Sequence, residues 1–362
     1  MLVHICCSVD SHFFLQKLMR EFPEEKFTAY FYDPNIHPYS EYLLRLMDVR
    51  RSCEMLGVEL IEGEYDYEGW LEAVRGLENE PEKGRRCTLC FDRRFEESAR
   101  KTREIGEKSF TSTLLVSPKK SLEQLRISGE KIGRRYGLSF VAPDYRKASG
   151  TQEQNSLAKR DRLYRQDYCG CLYGLMRQRE EQKRLSDELF SPVSAQIQPE
   201  SIEYRLQLYE KRARLEREGE EYQIVKERFL NWRLKYALLR VKGQPVASHI
   251  VPYSSMKRGY TRGRVEGESA GVYRLNRDEV KFIGLALYND ILGTKYSCVK
   301  ELIFSPPLFE DELRLRRSLL PNAYDLSALV VVDEIPSSRL ELIMDSECYE
   351  DTVERLLSAN EI

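Results

Sequence analysis

The sequence predicts an α/β protein in which a mostly parallel, doubly wound sheet fills the first half and an α+β accessory domain the second. Three observations carry this. Short apolar runs alternate with amphipathic helical patterns from the N-terminus to about residue 143, as right-handed βαβ units require. A Pro/Ser/Gln segment, SPVSAQIQP at 191–199, then interrupts the pattern like a linker. The length of 362 residues exceeds one average domain.

Taken in order, LVHIC (2–6) reads as the first strand and SHFFLQKLMREF (11–22) as an amphipathic helix opened by Ser11. FTAYFY is a second strand, ending in the turn DPNIHP. SEYLLRLMDVRRSCEML (40–56) is a helix stopped by Gly57. VELIEG and YEGWLEAV come next as strand and short helix. After the polar stretch ENEPEKGRR come CTLC and a charged helix, FDRRFEESARKTREI (91–105). SFTSTLLV (109–116) reads as a buried strand, SLEQLRISGEKIGRRY as a helix ended by Gly137, and LSFVAP as the last strand. Sheets of this kind bind ligands at the carboxyl ends of their strands, where Cys6 and Cys7 stand.

Beyond the linker a long polar helix is expected from about Glu203 to Lys235. After it are expected a hairpin through YALLRV-KGQ-PVASHIVPY, a helix over EVKFIGLALYNDIL and strands at SALVVVDEI and RLELIM. The expected organisation is therefore 1–190, a linker at 191–200, and an accessory domain over 201–362. No internal repeat or low-complexity tract interrupts it.

Charged residues make up 32% and mean hydropathy is −0.54. No apolar run approaches the roughly 20 residues of a membrane span. The N-terminus has neither the basic region nor the small-residue cleavage site of a signal peptide, so a cytoplasmic protein without a membrane partner is expected. Charge is unevenly spread. Residues 1–84 hold 8 Lys+Arg against 17 Asp+Glu, whereas residues 85–184 hold 24 against 13. A basic middle third suits a polyanion such as nucleic acid; solvated helices rich in Arg are the plainer alternative.

Nine cysteines stand at 6, 7, 53, 87, 90, 169, 171, 298 and 348. Six fall in three pairs: CC, CxxC and CxC. Such clustering in a cytosolic chain points to metal or redox chemistry rather than structural disulfides. Cys53 shares helical spacing with Leu46, Val49 and Leu56 and reads as core; Cys298 and Cys348 are isolated and read as structural. Adjacent side chains on a strand face opposite ways, but a strand-to-loop corner relaxes the alternation and lets Cys6 and Cys7 serve one metal site or two neighbouring ones. In GRRCTLCFDRR, Arg85, Arg86, Arg93 and Arg94 favour thiolate over thiol. Gly170 lets YRQDYCGC turn sharply. Six thiolates exceed one tetrahedral zinc and also one cubane cluster. One cluster plus a second metal fits the count, with Asp10 as a nearby oxygen ligand. For each pair alone, a structural zinc half-site is the plainer reading.

The SVDS of HICCSVDS also resembles the serine–glycine–glycine–x–aspartate–serine loop of ATP pyrophosphatases, with Cys6, Cys7 and Ser8 in place of the serine and both glycines. Glycines allow backbone to approach phosphate closely; two cysteines and a serine do not. A metal site replacing a nucleotide site is expected. HICCSVD, YDPNIHPYSEYLLR, RCTLCFDRR, TSTLLVSPKKS and YRQDYCGC, in that order, resemble the QueH family of epoxyqueuosine reductases through about residue 184.

That resemblance implies reduction of the epoxide of epoxyqueuosine, at the wobble base of queuosine-type tRNA anticodons, to queuosine. It implies a 4Fe–4S cluster with an adjacent mononuclear iron, an external electron donor, and a fold similar to the adenine nucleotide α-hydrolase (HUP-like) domain. Carried over motif by motif, the metal ligands are Cys6, Cys7, Asp10, Cys87, Cys90, Cys169 and Cys171. Some members have a third cysteine after the CC pair, where Asp10 stands here. A metal with an open position would polarise the epoxide C–O bond. Asp10, His37 and Tyr168 are the catalytic candidates, with His4 and Asp33 beside the motifs. The plainer roles are packing for His4, turn formation for Asp33, orientation of ligands for His37 and Glu41, and base stacking for Tyr168. The wobble base must be splayed out to react. Arg93, Arg94, Lys101, Arg103, Arg134, Arg135, Lys159, Arg160, Arg162 and Arg165 are candidates for the phosphate track; any one alone reads more simply as surface charge.

Two other functions compete. An iron–sulfur tRNA-thiolating enzyme would need ATP, which the lost glycines argue against. A zinc-containing RNA-binding module would be colourless and redox-inactive. For the second half, the Arg212–Arg217 helix and Tyr260 within KRGYTRGR would suit RNA, yet residues 185–362 carry 25 Lys+Arg against 29 Asp+Glu.

Overall fold

Leu2, Val3, His4 and Ile5 have no solvent exposure, and as β1 (Leu2–Ile5) they form the middle strand of a five-stranded sheet. The computed structural model describes residues 1–117, 120–147, 149–190, 196–277, 279–320, 322 and 325–358. The chain divides into two units, Met1–Ser186 and Asp187–Ile362. Of the expected linker, residues 191–195 lie outside the described residues.

In the first unit β1 leads into α1 (Ser8–Glu21), β2 (Thr28–Phe31), α2 (Tyr39–Leu56), β3 (Glu59–Glu62), α3 (Tyr67–Ala73) and α4 (Arg85–Glu104). β4 (Ser109–Ser112), α5 (Leu122–Tyr136), β5 (Ser139–Phe140), α6 (Gly150–Arg160) and α7 (Leu172–Glu181) complete it. Every strand pair is parallel, in the order β3-β2-β1-β4-β5. From β1 the chain winds outward through β2 and β3, then returns to the other side at β4. A crevice therefore opens beyond the carboxyl ends of β1 and β4. Its floor is a core that joins Val3, Ile5, Phe14, Phe31, Phe95 and Phe110. Gly57 and Gly137 end α2 and α5 in the left-handed conformation, as their positions in the sequence imply.

Several boundaries differ from expectation. The first helix begins at Ser8, not after Ser11, because Cys7 is already extended and occupies the capping position. α4 takes in CTLC, so the CxxC pair lies on its first two turns. SFTSTLLV is strand only to Ser112; Thr113–Val116 form a 3-10 turn, started by the Ser112 hydroxyl accepting from the Leu114 N–H. LSFVAP contributes only Ser139 and Phe140 to the sheet.

The second unit comprises α8 (Ile202–Glu218), β6 (Tyr222–Val241), β7 (Gln244–Val246), β8 (Ser248–Ile250), β9 (Tyr260–Gly263), β10 (Gly267–Ser269), β11 (Val272–Leu275) and β12 (Val280–Gly284), then α9 (Leu285–Leu292), α10 (Val299–Phe304), α11 (Phe309–Leu319), β13 (Ala328–Val332) and β14 (Leu340–Ser358). The expected helix over 203–235 stops at Gly219. The rest of that stretch belongs to β6, paired antiparallel along its length with β14. EVKFIGLALYNDIL likewise splits into β12 and α9. A five-stranded sheet β10-β11-β12-β13-β8 and a four-stranded sheet β7-β6-β14-β9 result, sharing a core that includes Trp232, Leu239, Phe282, Val330 and Leu342. The Arg212 side chain is buried over the Tyr209 ring rather than exposed to a polyanion. Among the described residues no helix is long and apolar enough to cross a membrane.

His4 shows how tightly the centre of the first sheet is tied. Its Nε2–H donates to the Tyr32 carbonyl at 3.0 Å, so Nδ1 accepts from the Ser112 hydroxyl at 2.9 Å. Burial pushes the imidazole pKa down to about 4, against the pull of Asp33. The native ring stays neutral while the unfolded chain binds a proton below about pH 6.5. Its contribution is thus complete above pH ~6.5 and is lost as pH falls through the native pKa. Replacing His4 by Gln should flatten the stability–pH curve over that window by on the order of 3 kcal/mol. Urea unfolding followed at Trp70, in a Trp232→Phe background, measures this; an unchanged slope would show that His4 is not the group responsible.

Candidate metal centre

Three segments meet at the crevice, each held by residues buried behind it. The first is the corner after β1. Cys6 is half-buried against Thr113, Cys7 is buried, and Asp10 lies in the first turn of α1. Among the described residues, Cys6, Cys7 and Asp10 have ligand atoms that all lie within 4.8 Å of one another. The second segment is the start of α4. Cys87 and Cys90 are three apart, hence on one helix face, and close to a helix N-terminus that favours anionic sulfur.

The third is the CxC loop. Gly170 has φ +102°, and a Cβ there would lie 2.9 Å from Ile36 Cγ1 and 3.2 Å from Arg45 Nη1. Only glycine fits. Behind the loop, Arg45 is paired with Glu41 at 2.7 Å, both buried. Its Nη1 and Nη2 donate to the carbonyls of Cys169 and Tyr168 at 3.2 and 3.1 Å. The His37 N–H donates to the Gly170 carbonyl at 2.8 Å. Tyr168 Oη donates to the His37 carbonyl at 2.8 Å.

Buried cations surround the sulfurs. Lys120 Nζ lies 2.9 Å from Cys169 Sγ, and Arg94 Nη2 lies 3.3 Å from Cys90 Sγ. Burial alone would raise the Cys169 thiol, but Lys120, Arg94 and Arg45 outweigh it and hold its pKa below the ordinary value. Cys171 goes the other way: burial and the neighbouring Cys169 push it up to about 12. Cys87 is raised by burial and, less, by Cys169 and Cys90. Cys87 and Cys171 thus both feel the charge of Cys169. Cys7 is raised by its hydrogen bond with Cys6 and by burial. All nine cysteines are free thiols.

A cavity of about 300 Å³ opens onto this arrangement, lined by Cys6, Asp10, Arg45, Arg94, Lys120 and Cys169 on its inner side. Thr151, Gln154, Asn155, Arg165, Gln166 and Tyr168 are also part of its wall. His37 is not part of it: its ring stacks on Tyr67 with centroids 5.0 Å apart. Tyr168 lines the cavity with its hydroxyl already donated to His37. Asp33 is buried and paired with Arg94 at 2.7 Å, so it does more than shape a turn.

The cations expected along a phosphate track separate into three groups. Arg94 is buried, and Arg93 is bound to Asp66. Arg135, Arg160 and Lys101 are exposed or partly so, but paired with Glu96, Asp161 and Glu104. Arg103, Arg134, Lys159 and Arg162 are exposed, as is Arg165, which alone of these lies at the cavity, accepted by Asn155 Oδ1 at 2.8 Å. Arg45, Lys120 and Gln154 escaped the sequence reading. Glu41, Arg45, Asp48 and Ser52, recurring at helical spacing along one face of α2, were the available signal.

The sequence profile of a family described as epoxyqueuosine reductase QueH matches residues 1–177, within the first unit. The epoxyqueuosine reductase QueH of Helicobacter pylori is 38% identical over 99% of this chain and 100% of its own length. The chain belongs to the QueH family. Two other QueH relatives align over about half of it. That of Histophilus somni is 40% identical over 48% of this chain and 72% of its own length. That of Thermotoga maritima is 34% identical over 51% of this chain and 95% of its own. A QueH protein is thus nearly complete in a length close to that of the first unit.

The Arg45–Glu41 pair yields a test of how the loop is held. Replacing Arg45 by Met leaves a buried carboxylate without its cation, which costs roughly 3–5 kcal/mol. The further change Glu41→Leu should recover part of that loss. Urea denaturation at Trp70 compares the two variants; equal stabilities would mean the pair does not carry the loop.

Proposed function

We propose that this chain reduces epoxyqueuosine in tRNA to queuosine, using metal ions held by the three cysteine segments of the first unit. The observation that carries this reading is the cavity onto which Cys6, Asp10 and Cys169 all open, within the residues that match the QueH profile. The donor set fits iron: thiolates suit iron–sulfur clusters, and one carboxylate among thiols suits a ferrous ion with open positions. Cys87, Cys90, Cys169 and Cys171 would hold a 4Fe–4S cluster. Cys6, Cys7 and Asp10 would hold a single iron facing the substrate. When bound, the cluster supplies electrons one at a time and the lone iron a Lewis-acidic position. The parallel sheet order and the site at the carboxyl ends of its strands support a reading of this unit as HUP-like.

Removing the epoxide oxygen leaves an alkene and consumes two electrons and two protons, releasing water. The electrons come from an external donor. Lys120 and Arg94 lower the cost of anionic sulfur by Coulomb attraction in a poorly hydrated site. Tyr168 is the aromatic side chain of the cavity wall, with the Arg45 guanidinium over its ring, and is the group on which an extruded base would stack. Arg165, at the cavity mouth, is placed to hold an adjacent phosphate, with Arg134, Lys159 and Arg162 as more distant contacts.

Anaerobically purified protein should carry about four sulfides and more than four irons per chain, with a brown charge-transfer band, and should convert epoxyqueuosine-containing tRNA under a chemical reductant. A colourless protein with zinc and no sulfide after anaerobic reconstitution would reject the reading. Arg165→Ala should raise KM several-fold with kcat unchanged, and should reduce the salt slope of tRNA binding by about 1. A lowered kcat with unchanged KM would take Arg165 out of the phosphate track.

A further inference from the structure

Asp10 is the one oxygen ligand in a set of thiols, and its surroundings differ from those of the sulfurs. Lys120 and Arg94 contact Cys169 and Cys90 directly. Among the described residues no cation is hydrogen-bonded to Asp10 in that way. Instead, Gln154 reaches across from α6, 144 residues along the chain, and its Nε2 donates to Asp10 Oδ1 at 2.6 Å. Gln154 is 6% exposed, lines the same cavity, and sits on a helix packed against α1. A guanidinium in that position would neutralise the carboxylate and repel a metal ion. A neutral amide fixes one oxygen and leaves the charge in place.

We propose that Gln154 is the positioning residue of the lone-iron site: it locks the Asp10 carboxylate toward the thiols of Cys6 and Cys7 without competing for its charge. This rests on the reading of Cys6, Cys7 and Asp10 as ligands of an iron separate from the cluster. The other candidate ligands are fixed largely by backbone: Cys7 by the extended cap of α1, Cys87 and Cys90 by α4, Cys169 and Cys171 by the glycine turn. Asp10 has a second side-chain torsion that a cysteine lacks, so an outer hydrogen bond has most to contribute there. Groups in this role commonly change metal affinity 10–100-fold.

The test uses the full chain, reconstituted anaerobically with iron and sulfide, in wild-type form and as Gln154→Leu and Gln154→Lys. Iron and sulfide per chain are counted, retention of the additional iron is titrated with a ferrous chelator, and the lone ferrous signal is tracked by Mössbauer spectroscopy. Gln154→Leu should hold the additional iron 10–100-fold more weakly, with sulfide unchanged. Gln154→Lys should hold it more weakly still, because the ammonium pairs with Asp10. Excess ferrous iron should restore the signal in Gln154→Leu. Retention within twofold of wild type, or loss of iron and sulfide together, would overturn the proposal. A wild-type chain that takes up neither iron nor sulfide would instead reject the function on which it rests.

Discussion

Arg45 lies out of contact with water on α2, closed against Glu41, and directs its remaining N–H groups to the carbonyls of Tyr168 and Cys169. Two charges have been taken out of solvent to hold one turn of backbone, and such a pair seldom repays its desolvation as stability. What it confers is place. The CxC loop has no sheet of its own, and its bridge to Ile36 is a single ladder contact. Arg45 adds to that bridge, to the hydrogen bonds with His37 and to the Lys120–Cys169 contact the two bonds that fix the carbonyls of Tyr168 and Cys169. Glu41 also accepts from Tyr164 Oη, and Asp48 from the Tyr164 N–H, so α2 grips the approach to the loop as well as its apex.

The electrostatics depend on this placement. Once Cys169 is fixed, Lys120 reaches its sulfur and Arg94 lies between Asp33 and Cys90. The cations are buried together with the thiols they favour, so solvent screens neither. An arrangement with several inward positive charges is stable only if anionic groups face them. In the first unit Asp33 and Glu41 fill that role, and Cys169 is the thiol whose pKa the cations lower. The positive balance of the middle third, which at the level of sequence suggests a surface for polyanions, is therefore partly internal.

Much of the first unit could be read directly. Gly57 and Gly137 cap their helices, LVHI and FTAYFY lie in adjacent central strands, and Cys6, Cys7 and Asp10 gather at the corner after the first strand. These features depend on local chemistry or on patterns of a few residues. What could not be read depends on partners far away in the chain. β6 has a helix-like distribution of Arg, Lys and Glu, and becomes a strand because β14, more than a hundred residues later, pairs with it from Tyr222 to Val241. Arg94 looks like surface charge until Asp33 is placed opposite it. Gln154 gives no sign in sequence, since an amide in a polar helix is unremarked until Asp10 lies beneath it.

The two proposed sets of ligands also differ in how far along the chain they are gathered. Cys6, Cys7 and Asp10 come from a single corner, formed as soon as β1 meets α1, so an ion bound there closes almost no loop. Cys87, Cys90, Cys169 and Cys171 join segments more than seventy residues apart, and whatever binds all four removes the freedom of everything between them. Occupancy of the local corner would therefore stabilise the fold through its binding energy alone, with almost no loop-closure term. Occupancy of the distributed set would fasten the second half of the unit to the first, and that fastening would have to wait on a ribosome until Cys171 has emerged.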